Sequence, residues 1–242
     1  MRRAVVVVVW VVWLSIAVAI PLEASARSRP PQRSMLRRPS IRSQVPVATN
    51  TVWPRQEVFD LAMRAYACGR DAGAFDRALL TVIDYSLPST ARRLWVIDVA
   101  RKRILFHELV AHGEGSGDNY AVEFSNEPGS RQSSIGVFRT EDVYRGGNGY
   151  SLRLAGLERG VNDLAMERRI VIHGAQYVSM NAVNALGRLG RSWGCPALPS
   201  GVSRQVIDRI KGGSAVFAYY PDPRWLRRSN FLSCSAVRVA RR

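Results

Sequence analysis

The chain has 242 residues, of which 47% are hydrophobic and 22% charged, and its 35 basic and 19 acidic residues give a formal net charge of +16. This is the composition of an ordinary globular protein, and it excludes a chain that is unable to form a core. The positive charge is concentrated near the ends, because residues 27–50 contain six arginines, residues 227–242 contain five, and neither segment contains an acid.

This charge distribution bears on the partners of the chain. A nucleic-acid-binding face clusters its basic residues on the folded surface, so we expect no nucleic acid. Basic ends are suited to an anionic envelope surface, such as lipid head groups or wall polymer. The alternative is that the arginines only keep the two ends solvated.

The N-terminus has the three parts of a secretory signal, namely a charged start at residues 1–3, an apolar run at residues 4–20 and the small residues 24–26. We therefore predict that residues 1–26 are a signal peptide and that the chain is exported to the periplasm or cell envelope. An uncleaved anchor is the alternative, because a run of 17 residues lies at the short end of what spans a bilayer. Residues 27–53 contain four prolines and are predicted to be a basic linker.

A folded domain is predicted over residues 54–222, followed by a basic C-terminal tail at residues 223–242. Pro54 and the spacing of the apolar residues after it predict a helix that ends at Gly69. Further helices are predicted at residues 162–168 and 203–211, and strands at residues 79–85, 94–99, 104–110, 133–138, 151–154, 169–173 and 214–220. Many short strands with few helices indicate a mainly β fold, either a β-sandwich or a partly closed barrel.

Cys195 is the candidate nucleophile. Gly194 before it and Pro196 after it predict a bent loop that displays the thiol. A thiol reacts as a thiolate and needs a base, and His173 ends an apolar strand and can supply one. His112 also ends an apolar run before a glycine, so the sequence leaves it as an alternative base.

The other two cysteines lie far apart in the sequence, at positions 68 and 234. Cys68 and Cys234 are predicted to form a disulfide in an oxidising compartment, with two unpaired thiols as the alternative. No short ligand spacing joins the histidines and Cys195, so we expect neither a metal nor another cofactor.

The motifs His173-Gly174 and Ser192-Trp193-Gly194-Cys195 resemble those of the YkuD-type L,D-transpeptidases of bacterial cell walls. The likeness is greatest to the murein L,D-transpeptidase catalytic domain branch, and it extends through residues 110–117, 124–126, 129–130, 134–136 and 151–154. The resemblance implies a YkuD-like β-sandwich with a few short helices and an N-terminal helix, which agrees with the fold class predicted from the strand pattern.

The resemblance also implies an activity, in which Cys195 forms a thioester with a peptidoglycan tetrapeptide stem and a second stem resolves it as a cross-link. His173 would accept and return the proton, and the Gly174 carbonyl would hold the second imidazole nitrogen. Backbone N–H groups around Gly194 would form the oxyanion hole. Hydrolysis of the same thioester would make the protein an L,D-carboxypeptidase, and a non-catalytic wall-binding module is a third reading.

Substrate recognition is the least defined part of the prediction. The expected partners are peptidoglycan stem peptides, and the chain is expected to be a monomer. In the commoner branch of the family an apolar residue and an arginine follow the cysteine, whereas Pro196-Ala197 follow it here, so recognition of the donor stem stays open. The residues predicted to contact substrate are Ser192, Arg191, Trp193, Tyr177 and Asn126.

Overall fold

The computed structural model describes residues 52–234. The predicted signal peptide, residues 27–51 of the predicted linker and residues 235–242 of the predicted tail lie outside the described residues. Within residues 52–234, no helix is both long and apolar enough to cross a bilayer.

Eight strands and five α-helices make up the described part of the chain. The strands are β1 (Leu79–Asp84), β2 (Arg92–Asp98), β3 (Arg103–Leu109), β4 (Gly136–Gly146), β5 (Gly149–Gly156), β6 (Val171–Ala175), β7 (Ala197–Pro199) and β8 (Ala215–Tyr219). The helices are α1 (Gln56–Asp71), α2 (Met180–Leu186), α3 (Ser200–Ile210), α4 (Pro223–Arg228) and α5 (Asn230–Ser233).

All eight strands belong to one sheet, in the order β3-β2-β1-β8-β4-β5-β6-β7. The β1–β8 and β6–β7 pairs are parallel, and the other neighbours are antiparallel. Just after β3, Ala111 forms an antiparallel bridge with Ala197 of β7, so the two edges of the sheet approach each other. The sheet therefore nearly closes on itself, and the predicted mainly β fold class is confirmed.

The two largest hydrophobic clusters lie on the two faces of the sheet, because successive side chains of a strand point in opposite directions. In β1, Leu80 and Val82 join the core that is covered by α1, α4 and α5. Ile83 joins the inner core, where α3 packs against the strands through Val206 and Ile207. The strands are thus apolar on both faces, which explains the nearly continuous apolar runs in the sequence.

The N-terminal helix packs outside the sheet. Val58, Ala62, Ala65 and Tyr66 of α1 are buried and recur at helical spacing, as the sequence predicted. The predicted disulfide is present, and Cys68 of α1 is bonded to Cys234 with 5.4 Å between their Cα atoms.

The C-terminal helices are held by a buried carboxylate. Glu158 accepts hydrogen bonds from the Val137 amide at 2.7 Å, the Trp225 indole at 3.1 Å and the Ser229 hydroxyl. Burial raises the pKa of the Glu158 carboxyl, and the hydrogen bonds act in the opposite direction. Residues 223–234, which the sequence analysis assigned to the tail, therefore form helices that pack on the domain.

One predicted helix is wrong. Residues 162–168 form a series of turns, and Asn162 is buried there with its side-chain amide donating to the carbonyls of Ile135 and Val137. Arg169 then has a φ of 56°, a left-handed conformation that ends the turns and directs the chain into β6.

Candidate active site

The loop that carries Cys195 is held by its own serine. The Ser192 hydroxyl donates to the Cys195 carbonyl at 2.6 Å and accepts from the Gly194 amide at 3.1 Å. Gly194 has a φ of 120°, which residues with a side chain rarely adopt. The bent loop that the sequence predicted therefore depends on both residues.

A second loop supports the cysteine loop from behind. The Ser133 hydroxyl donates to the Gly194 carbonyl and accepts from the Gly113 amide, both at 3.0 Å. A Cβ on Gly113 would lie 2.2 Å from the Arg131 carbonyl oxygen and 2.8 Å from the Gly194 Cα. The glycine-rich segment at residues 113–117 therefore lets two backbones approach closely.

Cys195 is covered rather than displayed, which corrects the expectation drawn from its Gly-Cys-Pro context. The residue is 8% exposed, and its thiol donates to the Arg169 carbonyl at 3.7 Å. Burial raises the pKa of the Cys195 thiol, while the Val171 backbone and the charge of Arg168 act in the opposite direction. The resting form at neutral pH is therefore the thiol.

His173 lies in β6, next to the strand that follows Cys195. It is opposite Ala197 in the parallel β6–β7 pair, so Cys195 precedes its partner by two residues. Its Nδ1 donates to the Gly174 carbonyl at 3.1 Å; because a carbonyl only accepts, the neutral ring carries its lone pair on Nε2. Burial lowers the pKa of His173, which favours the neutral ring.

The thiol and the imidazole are not joined by a hydrogen bond. Among residues 52–234 the thiol hydrogen bonds to Arg169 and the imidazole to Gly174. The structure thus brings the two predicted residues onto neighbouring segments, with the sulfur turned toward the Arg169 carbonyl.

His112, the alternative base, is fully buried with both ring nitrogens engaged. The Arg93 guanidinium donates to its Nδ1 at 2.7 Å, and its Nε2 donates to the Gly117 carbonyl at 3.3 Å. Burial, and then the charge of Arg93, lower the pKa of His112 to about 4. His112 therefore has no nitrogen available to accept a proton from Cys195, and it acts as a structural partner of Arg93.

Two predicted substrate residues hydrogen bond to their own chain. The Arg191 guanidinium donates to the Gly117 carbonyl and to the Asp118 carboxylate, both at 3.0 Å. The Asn126 side chain donates to Asp163 at 2.8 Å and accepts from the Leu164 amide at 3.1 Å. Ser192 holds the cysteine loop, so the polar groups of these three predicted residues are already engaged.

The two predicted aromatic contacts differ in exposure. Trp193 is 72% exposed, and the Arg131 guanidinium lies 4.8 Å from the centre of its ring. Tyr177 is partly buried and packs against Gly190. Burial, and then proximity to Cys195, raise the pKa of Tyr177 to about 12, so its hydroxyl is a neutral group near the thiol.

The backbone donors expected for an oxyanion hole are only partly available. The Gly194 amide donates to Ser192, so it is engaged within the loop. The Cys195 amide has no protein acceptor within residues 52–234. The Trp193 amide likewise has no acceptor there, so both amides remain available as donors to an oxyanion.

Sequence reasoning missed Arg168, which it placed in a helix. Its guanidinium donates to the Gln132 carbonyl at 2.6 Å and the Ser130 hydroxyl at 3.1 Å, beside the cysteine loop. The only signal was the pair Arg168-Arg169 just before the strand of His173.

Within residues 52–234, no group of three or more His, Cys, Asp or Glu side chains is arranged to hold a metal ion.

Comparison with known proteins gives one family and several solved structures. A family model described as the L,D-transpeptidase catalytic domain matches residues 52–219. No curated protein matches the sequence. Similar solved structures include the LD transpeptidase LdtMt1 in complex with imipenem (18% identity, 59% of each chain, TM-score 0.37) and an L,D-transpeptidase from Mycobacterium smegmatis (14%, 59% of each chain, TM-score 0.37).

A third similar structure is a helical cell shape determining protein from Campylobacter jejuni, with 13% identity over 70% of this chain and 58% of that chain and a TM-score of 0.41. The chain thus spans about three fifths of the length of these three proteins, at 59%, 59% and 58%.

Proposed function

The chain belongs to the L,D-transpeptidase catalytic domain family, and we propose that it is a peptidoglycan L,D-transpeptidase with Cys195 as nucleophile and His173 as base. The observation that carries the proposal is the state of His173. Its Nδ1 is fixed by the Gly174 carbonyl, which leaves a basic Nε2 on the strand beside the cysteine segment. Family membership supports the substrate class, and the geometry supports the roles.

The first proposed step is a proton transfer from the thiol to His173. In the resting state the thiol donates to the Arg169 carbonyl. It must therefore break this hydrogen bond and turn toward Nε2 of the imidazole before the proton can be transferred. Cys195 precedes Ala197, the strand partner of His173, by two residues, so the proposed step requires the two side chains to rotate toward each other. The product is a thiolate beside an imidazolium.

The second proposed step is acyl transfer. The thiolate attacks the carbonyl of the third stem residue, and the Cys195 amide donates to the oxygen that becomes negative. The bond to the terminal D-alanine breaks, and the departing amine takes the proton from the imidazolium. An amine of a second stem then attacks the thioester, forms the cross-link and releases the thiol.

The proposed setting follows from the family and the two ends of the chain. We propose that residues 1–26 direct export to the periplasm or envelope and that residues 27–53 are a linker between this signal and the catalytic domain. Residues 54–222, together with α4 and α5, form a monomeric catalytic unit. Residues 235–242 keep the proposed role of a basic tail. The proposed partners are stem peptides, with the anionic envelope surface as a secondary contact.

The experiment uses the mature chain and two probes. Intact-mass measurement with imipenem is expected to show one covalent adduct per chain, absent in the Cys195→Ala variant. Incubation with defined tetrapeptide muropeptides is expected to release D-alanine and to form a cross-linked dimer.

The outcomes separate the readings. Release of D-alanine with a tripeptide product and no dimer would make the protein an L,D-carboxypeptidase. Correctly folded chain that forms neither adduct nor product, while binding wall fragments as well as Cys195→Ala does, would overturn the enzyme proposal in favour of a binding module.

A further inference from the structure

Arg168 is a partly buried arginine whose hydrogen-bond partners are all neutral. Its Nη1 donates to the Ser125 carbonyl and the Ser134 hydroxyl, and its Nη2 to the Ser130 hydroxyl and the Gln132 carbonyl. Four contacts from one short stretch of chain fix the plane of the guanidinium. The arginine is therefore held in place without help from an acid.

In the described part of the chain, no carboxylate lies within ion-pair distance of Arg168, and Glu127 acts on its charge only from beyond that distance. None of the ion pairs within residues 52–234 includes Arg168. Arg191, at the other side of the loop, is instead paired with Asp118. A partly buried cation without an ion-pair partner is able to stabilise a negative charge that forms beside it.

The guanidinium lies against the peptide that precedes Cys195. A Cβ placed on Gly194 would be 3.5 Å from Arg168 Nη2 and 2.8 Å from the Gln132 carbonyl that this Nη2 contacts. The residue after Arg168 supplies the carbonyl to which the thiol donates. Residues 168 and 169 thus contact the cysteine segment from two directions.

We propose that Arg168 is a positioning residue whose charge stabilises the Cys195 thiolate, an inference that rests on the proposed nucleophilic role of Cys195. A buried thiol is hard to ionise, and a neighbouring cation offsets the cost of the negative charge. His173 becomes a cation only after it has taken the proton. Arg168 is charged before that step, so it lowers the free energy of the thiolate from the start.

The other titratable groups around the thiol do not supply this charge. Tyr85 and Tyr177 both interact with Cys195, and burial raises the pKa of each to about 12, so both are neutral below pH 10. Burial keeps His173 neutral at pH 7. Two groups favour the charged form of Arg168, first Cys195 and then the Glu127 carboxylate.

The test measures the pKa of the thiol in the full mature chain. With Cys68 and Cys234 bonded, Cys195 is the only free thiol of the three cysteines, so the rate of alkylation by iodoacetamide reports on it alone. The rate is measured from pH 6 to pH 11.5 for the wild type and for Arg168→Met and Arg168→Lys. Arg159→Gln is the charge-matched control, because Arg159 is exposed and lies in the same turn-rich segment.

Arg168→Met is expected to raise the thiol pKa and to slow alkylation at pH 8 by about 10-fold, since one partly buried charge shifts a pKa by one to three units. The limiting rate at high pH stays unchanged, because the thiolate itself is unaltered. Arg168→Lys keeps the charge without the fork of contacts and recovers at least half of the shift. Arg159→Gln behaves as the wild type.

Two results would overturn the inference, namely a wild-type thiol pKa in Arg168→Met, or equal thiol pKa values in Arg168→Met and Arg168→Lys. If Arg168→Met does not fold, the thiol pKa of Arg168→Lys decides. Lysine keeps the positive charge, so a rise of the thiol pKa by about one unit or more in Arg168→Lys would show that the contacts of the arginine, and not its charge, set the pKa, and this would overturn the inference. Imipenem acylation of the wild type is measured in parallel. A shifted thiol pKa without any acylation would sink the proposed function alone, and acylation without a shift would sink only the role of Arg168.

Discussion

His112-Gly113 and His173-Gly174 are the same dipeptide at the end of similar apolar runs, yet the fold gives them opposite tasks. His112 lies where Arg93 donates to one ring nitrogen and the Gly117 carbonyl accepts from the other. His173 has one nitrogen tied to the next carbonyl and one left over. Only His173 therefore has a ring nitrogen that can accept a proton.

Burial alone does not distinguish the two sites. Both histidines are buried, at 0% and 4% exposure, and burial lowers the pKa of both. The difference lies in the partner of Nδ1, which is a guanidinium at His112 and a carbonyl at His173. A cation on Nδ1 makes the ring an acceptor there and leaves Nε2 protonated, whereas a carbonyl makes Nε2 the basic atom.

The largest effect is expected on removing the base. His173→Gln should slow imipenem acylation and muropeptide turnover about 10³-fold, because a positioned general base contributes 10² to 10⁴. Glutamine keeps much of the size and polarity, so thermal unfolding should change little. Acylation within 10-fold of the wild type would show that the base lies elsewhere and would end the distinction drawn between the two histidines.

The matching change at the other dipeptide should affect stability instead. His112→Leu leaves a buried Arg93 donor without its acceptor, which we expect to lower the free energy of unfolding by about 3 kcal/mol in urea titrations. Acylation per folded molecule should stay near that of the wild type. His107→Leu, at a more exposed histidine, is the control and should cost less than about 1 kcal/mol. A stable but inactive His112→Leu protein would reverse the assignment.

The pH dependence of stability should also separate the sites. The pKa of His112 is about 4 in the folded chain, against an ordinary value of 6.5. Between these values the unfolded chain binds a proton that the folded chain does not, so the free energy of unfolding falls as the pH drops from 6.5 to 4, by roughly 3 kcal/mol. The difference in the free energy of unfolding between the wild type and His112→Leu should therefore shrink by this amount over the same pH range. A gap independent of pH would show that His112 titrates normally in the fold.

The smallest effects concern the two glycines. A Cβ on Gly174 would lie 2.3 Å from the Ser203 hydroxyl, whereas on Gly113 it would meet backbone atoms of Arg131 and Gly194. Gly174→Ala should cost about 1 kcal/mol, with part recovered in Gly174→Ala/Ser203→Ala, because the obstacle is a side chain. Gly113→Ala should cost about 2 kcal/mol and slow acylation by displacing the cysteine loop. Equal unfolding and acylation in the two single variants would contradict this difference.

Much of the fold could be predicted because both faces of the strands are buried and the apolar runs are correspondingly long. The sequence did not predict β7, because three residues are too few to show the alternation of a strand. It did not predict α2, because this helix buries none of its side chains. In the C-terminal segment, Trp225, Phe231 and Leu232 are buried among arginines that suggested a tail.

The candidate site was predictable to the extent that it depends on local backbone. Gly194 and Pro196 indicated the bend of the cysteine loop, and His173-Gly174 indicated an imidazole at the end of a strand. The thiol of Cys195 is covered by residues 168–171, and Arg168 is held by residues 125–134. Both segments are distant from Cys195 in the sequence. No local pattern carries that information.

The disulfide that closes the outer face has a consequence for oxidation. With two of the three cysteines already bonded to each other, a sulfenic acid formed at position 195 has no neighbouring thiol in its own chain to condense with. Its recovery depends on an external reductant, and a second equivalent of peroxide oxidises it to the sulfinic acid, which a thiol does not reduce. A chain that one equivalent of peroxide has inactivated should therefore be restored by an added small thiol, and it should show no rearranged disulfide.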